Sequence, residues 1–176
     1  MDRANSAIVE FLEEVYDGPK HQYTWFIGNA PDSGLLGTVR SLSAEEASTP
    51  VVEGGTTVAA HVGHLRWTLQ KANSFMRGEN PTYDWSESWS VRLVDPEEWA
   101  SLTGSLEAEF KALVQSLGSG FTWNSDEQYK EVLALIPHAS YHLGAIRQMV
   151  LMIRDRAHRR SSSSSNCLIG RMARLN

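Results

Sequence analysis

The chain has 176 residues, which is long enough for one compact domain with a buried core and short for two. Its composition, 41% hydrophobic and 21% charged with six tryptophans, is typical of a globular protein and excludes a disordered or fibrous one. The formal net charge is −5, and because the segment after residue 155 holds five arginines and no acid, residues 1–155 carry −10. A body this acidic argues against binding to a nucleic-acid backbone.

Cysteine usage and hydropathy place the chain among soluble proteins. The single cysteine, Cys167, excludes an internal disulfide. No apolar run long enough to span a membrane and no N-terminal signal segment is visible in the sequence. We therefore expect a cytoplasmic protein with no membrane partner, and we interpret Cys167 as an unreactive thiol because nothing beside it would stabilise a thiolate.

Helical periodicity dominates the chain, since apolar residues recur at three- and four-residue steps and no long alternating stretch competes with them. The pattern predicts an all-α fold, a four-helix bundle with a long crossover between the second and third helices. The first helix is predicted over 5–16, followed by a short helical continuation over 33–42. The connection that follows, up to residue 57, contains proline and paired glycines and is predicted to hold at most one turn of helix.

The second helix is predicted to start after an N-cap at Thr56 or Thr57 and to end near Gly78. Its continuous apolar face is formed by Val58, Val62, Leu65, Leu69, Ala72 and Met76. Residues 80–94 are polar and aromatic without a helical period, and their length favours a crossover along the bundle over a tight hairpin.

Capping signatures mark the start of the last two helices. Asp95 is the predicted cap of the third helix, which begins at Pro96 and ends at Gly118. Ser125 is the predicted cap of the fourth helix, which runs toward Arg156. The predicted inward stripe of the fourth helix consists of Leu135, His138, His142, Ala145, Met149 and Met152.

Five consecutive serines are predicted to break the fourth helix. We therefore divide the chain into a four-helix-bundle domain over 1–155 and a basic, Ser-rich C-terminal tail over 156–176. The tail is either flexible or docked through its apolar residues, which are Cys167, Leu168, Ile169, Met172 and Leu175.

Two histidines of the fourth helix, His138 and His142, stand where the period demands core residues. Their four-residue spacing brings the Cβ atoms within roughly 6 Å, so two ring nitrogens can bind one ion. An isolated pair of this kind more often consists of partly buried histidines that hydrogen-bond to carbonyls or hydroxyls. The second helix, however, carries His61 and His64 at the edge of its own core stripe, and one bound cation would satisfy several buried rings together. Three ligands with an open position would make such a site catalytic rather than structural.

Two stretches, TTVAAHVGHLRW at 56–67 and PHASYHLGAIRQM at 137–149, resemble the DinB-like (DinB/YfiT-type) family of metal-binding four-helix bundles. The resemblance implies a homodimer in which a divalent metal ion, zinc or nickel, is held by three ligands, His64, His138 and His142. His61 is additional to the family pattern and is interpreted as a group behind the ligands, a fourth ligand or a core histidine. Pro137 departs from the pattern, and its kink either aims His138 or spoils the pair.

Further candidates lie close to these ligands in the sequence. Trp67, Tyr141 and Arg147 flank the histidines, and Trp85 belongs to the segment 84–89, which could fold over the site as a lid. Residues of these kinds are more often packing or surface groups than parts of a substrate pocket. The sequence identifies no catalytic residue, although two carboxylates on helices are candidate general bases, Glu10 and Glu131.

The resemblance implies a metal-dependent enzyme that acts on a small-molecule substrate. The preferred hypothesis is an S-transferase that uses a low-molecular-weight thiol as cosubstrate, with a cationic pocket supplied by Arg66, Arg92 or Arg147. A metal-dependent hydrolase is the alternative enzyme. A non-catalytic dimeric metal-binding or interaction module is the alternative from another class, with the aromatic segment 83–99 as an interface instead of a lid.

Overall fold

The computed structural model describes the backbone over residues 3–172 and the side chains over residues 3–160. The chain is all-helical, with no strand in the described range, as the periodicity predicts. Four long helices and two short ones follow one another along the chain, namely α1 (Arg3–Asp17), α2 (Leu35–Arg40), α3 (Ala44–Ser48), α4 (Val58–Met76), α5 (Pro96–Gly118) and α6 (Asp126–Met172). A 3-10 turn, Glu87–Trp89, lies in the crossover between α4 and α5.

The four long helices pack in the cyclic order α1, α5, α4, α6, because α1 and α4 each pack against both α5 and α6. The short helix α2 packs against α1, α5 and α6, and α3 packs against α4 and α5. The two helices that carry the histidine pairs, α4 and α6, are therefore neighbours in the bundle.

Each long helix contributes fully buried apolar side chains to the core, among them Leu12, Leu65, Leu106 and Ile146. Burying one such side chain stabilises the fold by about 1.5–3 kcal/mol. The predicted apolar face of α4 is confirmed in full, since each of its six members is buried. This packing fixes the rotation of α4 about its axis and therefore the side on which its histidines emerge.

The caps that the sequence predicts are present at all three starts, although the third lacks a reciprocal capping box. The hydroxyl of Thr57 accepts from the backbone N–H of Ala60 at 3.1 Å. Asp95 and Glu98 form the reciprocal capping box before α5. At the third start, Ser125 Oγ accepts from Gln128 N–H at 3.2 Å, but the Gln128 side chain accepts from Asn124 N–H, one residue earlier than a capping box requires.

The predicted end of the last helix near Arg156 is wrong, because α6 continues through the five serines to Met172. Serine costs a helix only a few tenths of a kcal/mol relative to alanine, and no glycine or proline follows until Gly170. The apolar tail side chains around Cys167 lie outside the described side chains, and the division at residue 155 stays a prediction.

In the predicted inward stripe of α6, Leu135, His142 and Met149 are buried, whereas Met152 at its end is 43% exposed. A second row of buried apolar residues follows the predicted one by one position and consists of Ile136, Ala139, Leu143, Ile146, Val150 and Ile153. His142 is buried as predicted, and His138 is half-buried at the edge of this face. They therefore face the seam between α6 and α4.

The last part of the crossover from α4 to α5 is hydrogen-bonded to the start of α4. The hydroxyl of Thr57 donates to the backbone carbonyl of Arg92 at 2.7 Å. Gly63 allows the crossover to approach, because a Cβ atom there would lie 2.9 Å from the Cβ of Val91. The glycine between the two histidines of α4 thus lets the crossover lie directly over them.

Among the described residues, none of the helices has both the length and the hydropathy that a membrane span requires.

Candidate metal centre

Three imidazoles converge at the seam between α4 and α6, and they could hold one metal ion. His64 Nε2 and His138 Nε2 are 3.0 Å apart, and His142 Nε2 and His138 Nε2 are 3.1 Å apart. One ring nitrogen from each of the three lies within 4.8 Å of the others. The convergence expected from the spacing is therefore present, and Pro137, with an exposed ring inside α6, does not spoil the pair.

The donor set fits a divalent ion of the zinc type. Such an ion binds histidine nitrogen at about 2.0–2.1 Å, which places two tetrahedral ligands about 3.4 Å apart. The contacts of 3.0 and 3.1 Å are slightly shorter, so only a small outward shift of the rings is needed. Hydrogen bonding alone satisfies the three nitrogens poorly, because His138 Nε2 contacts two other nitrogens and can exchange only one good hydrogen bond.

Burial keeps the imidazoles of this cluster neutral. Burial first, and then the charges of the neighbouring histidines, lower the pKa of His64 to about 4 and that of His142 to about 3. Burial also lowers the pKa of His61 and of the half-buried His138. Neutral rings present lone pairs at physiological pH, which is the protonation state that a metal ligand requires.

His61 lies behind the group of three. Its Nδ1 is 2.8 Å from Nδ1 of His142, and its Nε2 is 3.2 Å from the hydroxyl of Thr56. If His142 binds an ion through Nε2, its Nδ1–H donates to His61, whose Nε2–H in turn donates to Thr56. Among the three roles left open for His61, this geometry favours the group behind the ligands.

Trp89, from the 3-10 turn of the crossover, covers the cluster. Its ring stacks on His64 with centroids 4.3 Å apart and planes at 13°. It also meets His61 and His142 at centroid distances of 5.4 and 5.9 Å. In the sequence, Trp89 belongs to the possible lid over 84–89 and to the alternative interface over 83–99, and the aromatic character of these segments is the only signal that points to it.

The other aromatic candidates occupy different positions. Trp67 is buried, and its ring contacts are with Tyr83 and Trp85. Trp85 is 61% exposed and belongs to this aromatic group rather than to the histidine cluster. Tyr141 is 73% exposed, with its ring 5.2 Å from that of His142, and thus stands at the solvent side of the centre.

The candidate general bases have other partners. Glu10 accepts from the indole N–H of Trp25 at 3.0 Å, and Glu131 accepts from the hydroxyl of Tyr83. Neither carboxylate hydrogen-bonds to a ring of the cluster.

The remaining polar candidates are spread along the chain. Arg147 is half-buried on α6. Arg66 and Arg92 line a surface cavity beside the crossover. His21 and His158 are exposed.

Comparison with known proteins assigns the family. The sequence model of the DinB superfamily matches residues 33–149, which is more than half of the chain and contains all four clustered histidines. The chain therefore belongs to the DinB superfamily, as the two histidine stretches predicted. No curated protein and no solved structure was found to match it.

Proposed function

We propose that the chain is a metal-dependent enzyme that holds zinc or nickel through His64, His138 and His142. The observation that carries the proposal is the convergence of three neutral ring nitrogens within 4.8 Å, contributed by two neighbouring helices. Imidazole suits both metals. With His61 behind His142 rather than among the ligands, three donors leave a coordination position for substrate.

We further propose that the reaction is transfer to or from a low-molecular-weight thiol. When bound, the ion would act as a Lewis acid that lowers the pKa of a thiol beside it. His138 is half-buried and lies on the solvent-accessible side of the three ligands, where a thiol would approach. Trp89 covers one face of His64. A homodimer, implied by the family resemblance, belongs to the same proposal and is tested by sedimentation velocity.

The choice of a thiol over hydrolysis rests on the surroundings of the rings. Among the described residues, the four imidazoles hydrogen-bond to one another and to Thr56, and no carboxylate hydrogen-bonds to them. Hydrolysis gains typically two to four orders of magnitude from a positioned general base. A thiol acidified by an ion depends less on such a group.

The first test is elemental analysis of protein purified without an affinity metal column. We expect one zinc or nickel ion per chain in the wild type and its loss in His64→Ala and in His142→Ala. The matched control is His21→Ala, which removes an exposed histidine and should retain the ion. Absence of metal from folded wild-type protein would contradict the proposal and favour the non-catalytic module.

The second test separates the two chemistries in the metal-loaded protein. Thiol transfer is followed with 2-mercaptoethanol and 1-chloro-2,4-dinitrobenzene, in which a carbon–sulfur bond forms, chloride leaves and the thiol proton passes to solvent. Hydrolysis is followed with p-nitrophenyl acetate. We expect chelation to abolish the thiol reaction, and metal-dependent ester hydrolysis without metal-dependent thiol transfer would favour the hydrolase.

A further inference from the structure

A cavity of about 410 Å³ lies between the start of α4 and the end of the crossover. Its lining includes Thr56 and Ala60 from the α4 side and Trp89, Arg92 and Leu93 from the crossover. Pockets for small organic molecules are typically about 300–1,000 Å³ and mostly apolar, with a few polar groups that fix orientation. The cavity has the size and the character of such a pocket.

Two residues of the cavity wall also touch the histidine cluster. Trp89 lines the cavity and stacks on His64 at 4.3 Å. Thr56 lines the cavity, and its hydroxyl is 3.2 Å from His61, the ring that meets His142. A molecule in the cavity would therefore contact Trp89, which touches the ligand candidate His64, and Thr56, which is linked to His142 through His61.

The charge of the cavity lining favours an anionic ligand. Arg92 is the one charged residue of the lining, and it forms no ion pair with another described residue. The neighbouring cavity, which Arg92 and Arg66 both border, contains three carboxylates, those of Asp95, Glu97 and Glu98. The smaller cavity therefore favours an anion, whereas the carboxylates of the larger cavity would repel one.

The backbone of Arg92 is anchored, and apolar residues line the cavity beside it. The backbone carbonyl of Arg92 accepts from Thr57 at 2.7 Å, which anchors this residue to the start of α4. Apolar surface is supplied by Pro50, Trp89 and Leu93. Guanidinium pairs with carboxylate through two parallel hydrogen bonds, and an aromatic wall favours a flat apolar body.

We infer that this cavity binds a small organic acid, with its carboxylate on Arg92 and its apolar body against Trp89. The role of this acid as the substrate of thiol transfer rests on the proposed function, whereas its binding does not require the metal. The site thus deepens the proposed function by naming the chemical class of the second substrate.

The test is calorimetric titration of the metal-free full-length protein with benzoate, phenylacetate and 3-phenylpropionate, which place a carboxylate at increasing distances from a ring. We expect at least one to bind and its neutral amide to bind about tenfold more weakly or worse. Arg92→Met should weaken binding of the acid by about tenfold or more, because it removes the guanidinium. The substitution keeps the backbone hydrogen bond to Thr57. Arg66→Met is the matched control, since Arg66 borders only the larger cavity, and it should bind the acid as the wild type does.

Three results would overturn the inference: no binding of any of the three acids at millimolar concentration, equal binding of acid and amide, or unchanged binding in Arg92→Met. Metal content, measured on each preparation before the metal is removed for the titration, keeps the two proposals apart. Stoichiometric metal without acid binding rejects this pocket alone, and acid binding without metal rejects the metal centre alone.

Discussion

At the scale of single residues, His142 uses its two ring nitrogens for different purposes. Its Nε2 lies 3.1 Å from Nε2 of His138, on the side where the ion would bind, and its Nδ1 lies 2.8 Å from Nδ1 of His61. A partner at the second nitrogen orients a metal-binding imidazole and fixes its tautomer. His64 lacks such a partner, since its Nδ1 is buried without a hydrogen bond among the described residues. Of these two ligand candidates, only His142 therefore has its second ring nitrogen hydrogen-bonded to another described residue.

We predict that His61→Ala weakens metal binding by about 10- to 100-fold without changing the stoichiometry, because it removes the acceptor behind His142 and no ligand. Competition with a chromophoric chelator measures the affinity. Thr56→Val, which alters only the far end of the hydrogen-bonded chain, should have a smaller effect. Complete loss of the ion in His61→Ala would instead identify His61 as a fourth ligand, and an unchanged affinity would identify a core histidine.

At the scale of secondary-structure elements, one carboxylate organises the loop after α1. Glu14 is 7% exposed and accepts from the backbone N–H groups of Trp25, Phe26 and Ile27 at 2.9, 2.9 and 3.2 Å. Three N–H donors around one anion replace the hydrogen bonds that a helix or sheet would have provided. The loop between α1 and α2 is thus held to the bundle by α1 itself.

We predict that Glu14→Ala lowers the free energy of unfolding by about 2–4 kcal/mol, because it removes a buried charged acceptor and leaves three partly buried N–H donors without it. Glu13→Ala is the matched control, since its ion pair with Lys20 at 2.7 Å is partly exposed and such pairs contribute less than about 1 kcal/mol. Urea denaturation measures both variants. Equal losses of stability in the two variants would contradict the anchoring role of Glu14.

At the scale of the whole molecule, the packing of α4 against α6 makes stability depend on pH. Burial lowers the pKa of His64 and His142 from 6.5 to about 4 and about 3 in the folded protein. The unfolded chain therefore binds more protons than the folded one between these values and 6.5. The contribution of the neutral rings is complete above about pH 6.5 and is lost as the pH falls toward the folded-state values.

We predict that the metal-free protein loses stability between about pH 7 and pH 5, and that His142→Gln, which lacks a titrating ring, shows a smaller loss over the same interval. Urea denaturation at each pH measures the difference, and the variant separates the histidine contribution from that of the carboxylates. Parallel pH profiles for the variant and the wild type would contradict the prediction.

Local signals in the sequence determined the all-α fold, the start of α5 at Pro96 and the buried face of α4. Periodicity and capping operate within one or two turns of helix, so neighbouring residues suffice to specify them. The spacing of His138 and His142 belongs to the same class, because four residues on a helix place two rings on one side. The family assignment followed from these local stretches as well.

Tertiary structure alone decided how the rings meet. The second buried row on α6, the pairing of His61 with His142 and the stacking of Trp89 on His64 depend on the packing of α4, α6 and the crossover together. These contacts join residues up to 81 positions apart. Helix rotation and crossover path are set by many weak contacts summed over the core, and no local pattern encodes that sum.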